Sequence, residues 1–325
     1  MNAHATPTRP RILRLPVRQL LTALAAAMAL CACTLDDPRD LCCPDALAMT
    51  YTYRPYGAEA FTEHIGSLRH FLFDADGGYM AELPPGQDLQ YQPLDLPRGT
   101  YTMITLGNHG EATDLNHHQS PHLAALTLTC TADRADELFW GVSRFAVADN
   151  GTATDLMPAR DAVRYTRLTT PMNNIHCHLT VRVEWANVPQ YIGTYEMELS
   201  GVPSRYVLHP DSAAALPAGF TVPVHDSLGT HRIYVTMVGQ ELLGEFVTLR
   251  YTDTDIPTLR LRYGDTQVGP DIDLGRAFEA WGWHPSRVHV QEYSVTVRLY
   301  GDGHAELSPR IEASVSDWID GGTFG

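Results

Sequence analysis

One residue in this chain has surroundings that specify a chemistry, and that residue is Cys33. It closes the run Leu30-Cys31-Ala32-Cys33. An aliphatic residue, two small residues and a cysteine form a lipobox. The small side chains let a signal peptidase reach the backbone, and the thiol carries diacylglycerol as a thioether. Cys31 fits poorly, because Leu30 would then occupy the cleavage position. Upstream, Arg9, Arg11, Arg14 and Arg18 have no acid beside them, and the apolar run Leu20 to Leu30 follows. That run is too short to span a bilayer, which takes about 20 residues. Its length is that of the apolar part of a signal peptide. Residues 1–32 are therefore expected to be cleaved, leaving lipid on Cys33. Each buried CH₂ contributes about 0.8 kcal/mol, so several acyl chains hold a protein on a membrane where one does not.

The other chemistry-bearing residues give weaker signals. His176 and His178 alternate on one strand face and would hold a metal only with a third ligand. His117, His118 and His122 fall in a polar loop. No acidic partner is fixed by spacing, so an exposed histidine pair and no metal site are expected. Asp74-Ala75-Asp76-Gly77 resembles the start of a calcium loop but lacks the further ligands and closing Glu of that pattern. A hairpin turn accounts for Asp and Gly there. No G-x-S-x-G, H-E-x-x-H or G-x-G-x-x-G occurs. All 23 basic residues are Arg, which excludes a P-loop lysine, a Schiff-base lysine, a Ser-Lys dyad and Lys–Asn isopeptide cross-links. The expectation is a non-enzyme with no catalytic residue and no cofactor.

Composition narrows the partners. The formal charge is −15, and losing residues 1–32 removes four Arg and no acid, which makes it −19. Such a surface disfavours nucleic acid and anionic head groups. Membrane attachment must then come from the lipid. A hydrophobic content of 44% supports real cores. Cys42 and Cys43 are adjacent and cannot easily pair with each other; Cys130 and Cys177 lie on apolar strand faces, as disulfide partners or free thiols.

The elements that must position these residues are strands. Period-2 alternation predicts strands at 47–53, 68–73, 99–106, 175–185, 195–199, 231–238, 245–251, 257–263 and 288–300. Leu68 to Phe73 turns through Asp74 to Gly78 and returns at Tyr79-Met80. In 175–185, Ile175, Cys177, Leu179, Val181, Val183 and Trp185 share one face. Phe61 to Ile65 and Asp273 to Trp281 read as short helices, the second capped by Asp273. Ile311 to Val315 reads as a core strand, a donated segment being the other reading, and Trp318 as a core-closing residue. Asn187 to Gln190 looks like a joint. The expected division is a signal peptide (1–32), a lipidated tether (33–46), an N-terminal β-sandwich (47–187) and a C-terminal β-sandwich (188–325).

Several strings together resemble one family, the FimB-like fimbrial anchor and minor-subunit lipoproteins of Bacteroidales, within the fimbrillin superfamily. They are Cys33 with Asp36-Asp37 and Cys43-Pro44, Leu72 to Gly77, Tyr101 to Asn108, Glu137-Leu-Phe-Trp-Gly141, Thr248-Leu-Arg250 and Val315-Ser-Asp-Trp318. Their order and spacing carry the resemblance. It implies an all-β fold of two tandem transthyretin-like β-sandwich domains. It implies an outer-membrane lipoprotein that anchors a fimbria at its base, helps set its length and meets the shaft subunit by β-strand addition. The acidic tether is similar to an export signal for the cell surface in Bacteroidetes. An accessory or tip-like fimbrial subunit, or a surface glycan-binding lipoprotein on the same scaffold, is the alternative.

Overall fold

The structure is a computed structural model that describes residues 47–118, 122–131, 133–148, 153–155, 164–165, 167–217 and 219–310. The signal peptide, Cys33, Cys42, Cys43, the tail Ile311 to Val315 and Trp318 lie outside the described residues. Within them the chain is all-β, as expected, and no helix is long and apolar enough to cross a membrane.

A small sheet joins β1 (Ala48–Thr52), β4 (Tyr91–Pro93) and β11 (Arg167–Pro171), with β1 parallel to β11. It covers one face of a larger sheet. That sheet runs β10 (Arg164–Tyr165), β9 (Ala153–Asp155), β8 (Phe139–Val147), β5 (Gly99–Gly107), β2 (Leu68–Phe73) and β3 (Tyr79–Leu83), with β12 (Asn173–Asn174) also on β8. Strands β2, β5 and β8 are buried on both faces over most of their length. Leu68, Leu72, Tyr101, Met103, Phe139 and Phe145 point into one core. Phe71, Phe73, Ile104, Leu106, Trp140 and Val142 point into another. Alternation sends neighbouring residues to opposite cores.

The second of these cores is closed by strands of a third sheet. Its path is β20 (Thr266–Gln267), β19 (Thr258–Tyr263), β14 (Thr194–Val207), β7 (Thr127–Cys130) and β6 (Thr113–Leu115). Strands β17 (Val224–Thr236) and β21 (Ile272–Asp273) flank β14 and β19. A fourth sheet, β18 (Glu241–Leu249), β13 (His176–Trp185), β22 (Gln291–Leu299) and β23 (Ala305–Pro309), packs on the third around a core that includes Leu179, Val181, Met197, Leu199, Phe246 and Val297. A two-stranded ribbon, β15 (Ala214–Ala215) with β16 (Thr221–Val222), completes the strands. Helix α1 (Phe61–His64) and helix α2 (Leu274–Ala280) are short, and Asp273 caps α2 by accepting the Arg276 N–H at 2.8 Å.

Two pairings depart from the sequence reading. Strand β13, assigned to the first half, is hydrogen-bonded on both sides by strands of the second half, β18 and β22. Strand β14 is far longer than residues 195–199. Its first half pairs with β19 through Ser200, and its end pairs with β7 from Arg205. Pro203 lies in the interval where neither strand needs its missing N–H. Gly201, at φ 72°, makes the bulge there, and a Cβ on it would stand 2.8 Å from the Ile256 carbonyl oxygen.

Candidate functional site

Strand β17 is the most extended unpartnered edge among the described residues. It has 13 residues and pairs only with β14, over Val224 to Thr236. The edge strands β3 and β23 have five each. Strand β18 has nine, but the Ala135 N–H takes its Val247 carbonyl at 2.8 Å. Even-numbered residues of β17 point outward, and they include Leu228, 55% exposed, and Tyr234, 70% exposed. Val224 and, just past the strand, Val238 are exposed too. Soluble proteins usually blunt a free edge with charge, proline or brevity. Here the edge is long and presents Leu228 and Tyr234 among the charged Asp226 and Arg232. The sequence reading found only residues 231–238, because Val224 to Thr230 carries polar residues and Gly229 on an edge that buries little.

The face beside this edge is held by ion pairs. Arg232 on β17 meets Glu198 on β14 at 2.9 Å, and Arg260 on β19 meets Glu198 at 3.3 Å and Asp271 at 2.6 Å. Arg205 clamps Asp226 with two bonds, at 2.7 and 2.9 Å, and holds its carboxyl below the usual carboxylate range. Exposed pairs contribute about 0–1 kcal/mol each. They fix the register of β17 on β14 more than they stabilise the fold.

The histidines are not where the sequence reading put them. His176 is buried, at 5% exposure, rather than on a solvent face; Phe139 packs edge-on against its ring. The pairing of β12 with β8 brings the segment ahead of β8 alongside the start of β13. Ile175 N–H donates to the Leu138 carbonyl at 3.0 Å. Glu137 consequently reaches His178, with Oε1 3.6 Å from Nε2. His117 is buried beside Phe71 and Tyr79, and His122 caps a 3₁₀ turn by accepting the Ala124 N–H. Asp74 closes its hairpin by accepting the Asp76 and Gly78 N–H groups at 3.0 and 2.7 Å. Cys130 and Cys177 are free thiols, and burial pushes both pKa values up, to about 12 for Cys130.

The model of the family described as Fimbrillin-A associated anchor proteins Mfa1 and Mfa2 matches residues 39–319. The chain belongs to this family of fimbrial anchors. A fimbria-associated place at the cell surface and association with fimbrial subunits go with that membership. No curated protein matches the sequence. Solved structures share the fold at low identity. A candidate adhesin of Bacteroides ovatus gives a TM-score of 0.59 at 11% identity, covering 83% of this chain and 93% of its own. A candidate polysaccharide-binding protein of Bacteroides thetaiotaomicron gives 0.57 at 15%, covering 82% and 95%. The fimbrial anchor protein Mfa2 of Porphyromonas gingivalis gives 0.48 at 13%, covering 81% and 94%.

Proposed function

We propose that this protein is the membrane-fixed base of a fimbria. Lipid on Cys33 holds it to the outer membrane, exposed at the cell surface. Strand β17 receives an extended segment of the shaft subunit by β-strand addition, and occupying the base limits shaft length. Membership of the anchor family supports the role. The observation that carries the surface is the free 13-residue edge of β17 with Leu228 and Tyr234 beside it. Main-chain hydrogen bonds along such an edge supply affinity, and pockets for alternate side chains supply specificity. The body divides in this reading into two sandwiches that meet ahead of β13, because β13 pairs only with β18 and β22.

The test is a deletion strain complemented with wild type or with a Leu228→Lys, Tyr234→Lys double variant. Deletion should give longer or shed fimbriae. The double variant should reach the membrane and fold, yet lose shaft subunits on purification. Normal attachment and length in the deletion strain would overturn the anchoring role. Full shaft recovery by the folded double variant would overturn the β17 surface.

A glycan-binding role would use the cleft of about 670 Å³ beside Phe278 and Trp283. Its carboxylates already serve the fold: Asp255 accepts from Thr252 and meets His225 at 3.0 Å, and Asp253 accepts the Ser286 N–H. Saturable binding on a glycan array, lost in Trp283→Ala, would favour that role over the anchor.

A further inference from the structure

We propose that Glu137, His176 and His178 form a binding site for a divalent metal ion of the zinc type, which clips the segment ahead of β8 to the start of β13. The three side chains offer one carboxylate oxygen and two imidazole nitrogens, all within 4.8 Å of one another. Donors around a tetrahedral zinc at 2.0–2.1 Å stand about 3.4 Å apart, so a small rotation of the exposed Glu137 and the half-buried His178 closes the set. Two imidazoles and a carboxylate are the donor set of an open zinc site, with the fourth position left to water.

The surroundings prepare His176 for this. Its Nδ1–H donates to the Leu138 carbonyl at 2.9 Å, which fixes the tautomer and leaves Nε2 as the nitrogen with a free lone pair. Metal-bound histidines are commonly held by such a bond from the other ring nitrogen. The Asn174 amide stands 3.3 Å from both ring nitrogens and so does not single out Nε2. The rings of His176 and His178 stand edge to face with centroids 5.1 Å apart. Both line a cleft of about 210 Å³ with Glu137, whose wall also holds Glu63, Glu292 and His64.

Spacing alone could not reveal this site. His176 and His178 are visible as a pair, but Glu137 lies about 40 residues earlier. Only the β8–β12 pairing brings it across.

The experiment is calorimetric titration of Zn²⁺ into the untagged mature chain, with Co²⁺ absorption as a second reading. One saturable site is expected, with a Co²⁺ spectrum free of thiolate charge-transfer bands and a rise in thermal midpoint. His178→Ala, at a half-buried position, and Glu137→Ala, at an exposed one, should fold and weaken binding by more than about tenfold. His118→Ala should bind as wild type does. The proposal is overturned by absence of saturable binding in the wild type or by undiminished binding in both variants. It is also overturned by thiolate bands in the Co²⁺ spectrum or by loss of the site in His118→Ala.

Discussion

The hydroxyl of Tyr206, at the end of β14, donates to the carbonyl of Ile175 just ahead of β13, at 3.0 Å. The same hydroxyl accepts the Arg250 N–H at 2.9 Å. All three groups are buried, and the side chains of Tyr206 and Ile175 belong to the same core, behind the large sheet. One phenol therefore ties the end of β14 to the start of β13 and the residue after β18. Tyr206→Phe keeps the ring and removes the hydroxyl, so the expected loss is about 1–3 kcal/mol. Urea denaturation, read as a lower midpoint at unchanged slope, checks it.

His70 gives the fold an acid sensitivity. Its ring stacks on Tyr51 with centroids 5.2 Å apart, and Nδ1 stands 3.1 Å from the Tyr51 hydroxyl. Burial lowers its pKa from 6.5 to about 4. The folded state thus resists a proton that the unfolded chain accepts. The stabilisation is fully present above pH 6.5 and is lost as pH falls towards 4. One such group gives a slope of up to about 1.4 kcal/mol per pH unit in that window. Stability measured from pH 7.5 down to 4 should fall less steeply in His70→Gln than in wild type.

Gly201 is expected to tolerate no side chain. Its φ of 72° is in the left-handed region, and a Cβ would press on the Ile256 carbonyl oxygen. Gly201→Ala should cost about 1–3 kcal/mol from backbone strain alone, before the clash. The same bulge sets the register of β17 on β14, so the variant should also lose hydrogen-exchange protection along both strands. Wild-type protection there would refute the role given to the bulge.

Cys33→Ala is expected to leave the β-fold intact while releasing the protein, and any fimbria it holds, from the membrane fraction. Fractionation followed by circular dichroism of the soluble protein checks both halves. Retention in the membrane of protein and fimbria together would count against lipid attachment.

Several features could be read from residue order because they depend on near neighbours. The Asp74 hairpin, the Asp273 cap and the alternating faces of β13 and β19 follow from local periodicity and turn chemistry. The family resemblance also follows from strings in sequence. Strands β2 and β5 are legible as strands at 68–73 and 99–106, whereas β8 is not, because burial on both faces leaves it without a single alternating apolar face. Tertiary structure decided what depends on distant partners. It put β13 with β18 and β22, and left β17 as an open edge where few side chains are buried. It turned His176 inward and carried Glu137 to His178. Sequence spacing records local geometry; strand pairing between remote segments is chosen by which faces can be buried together.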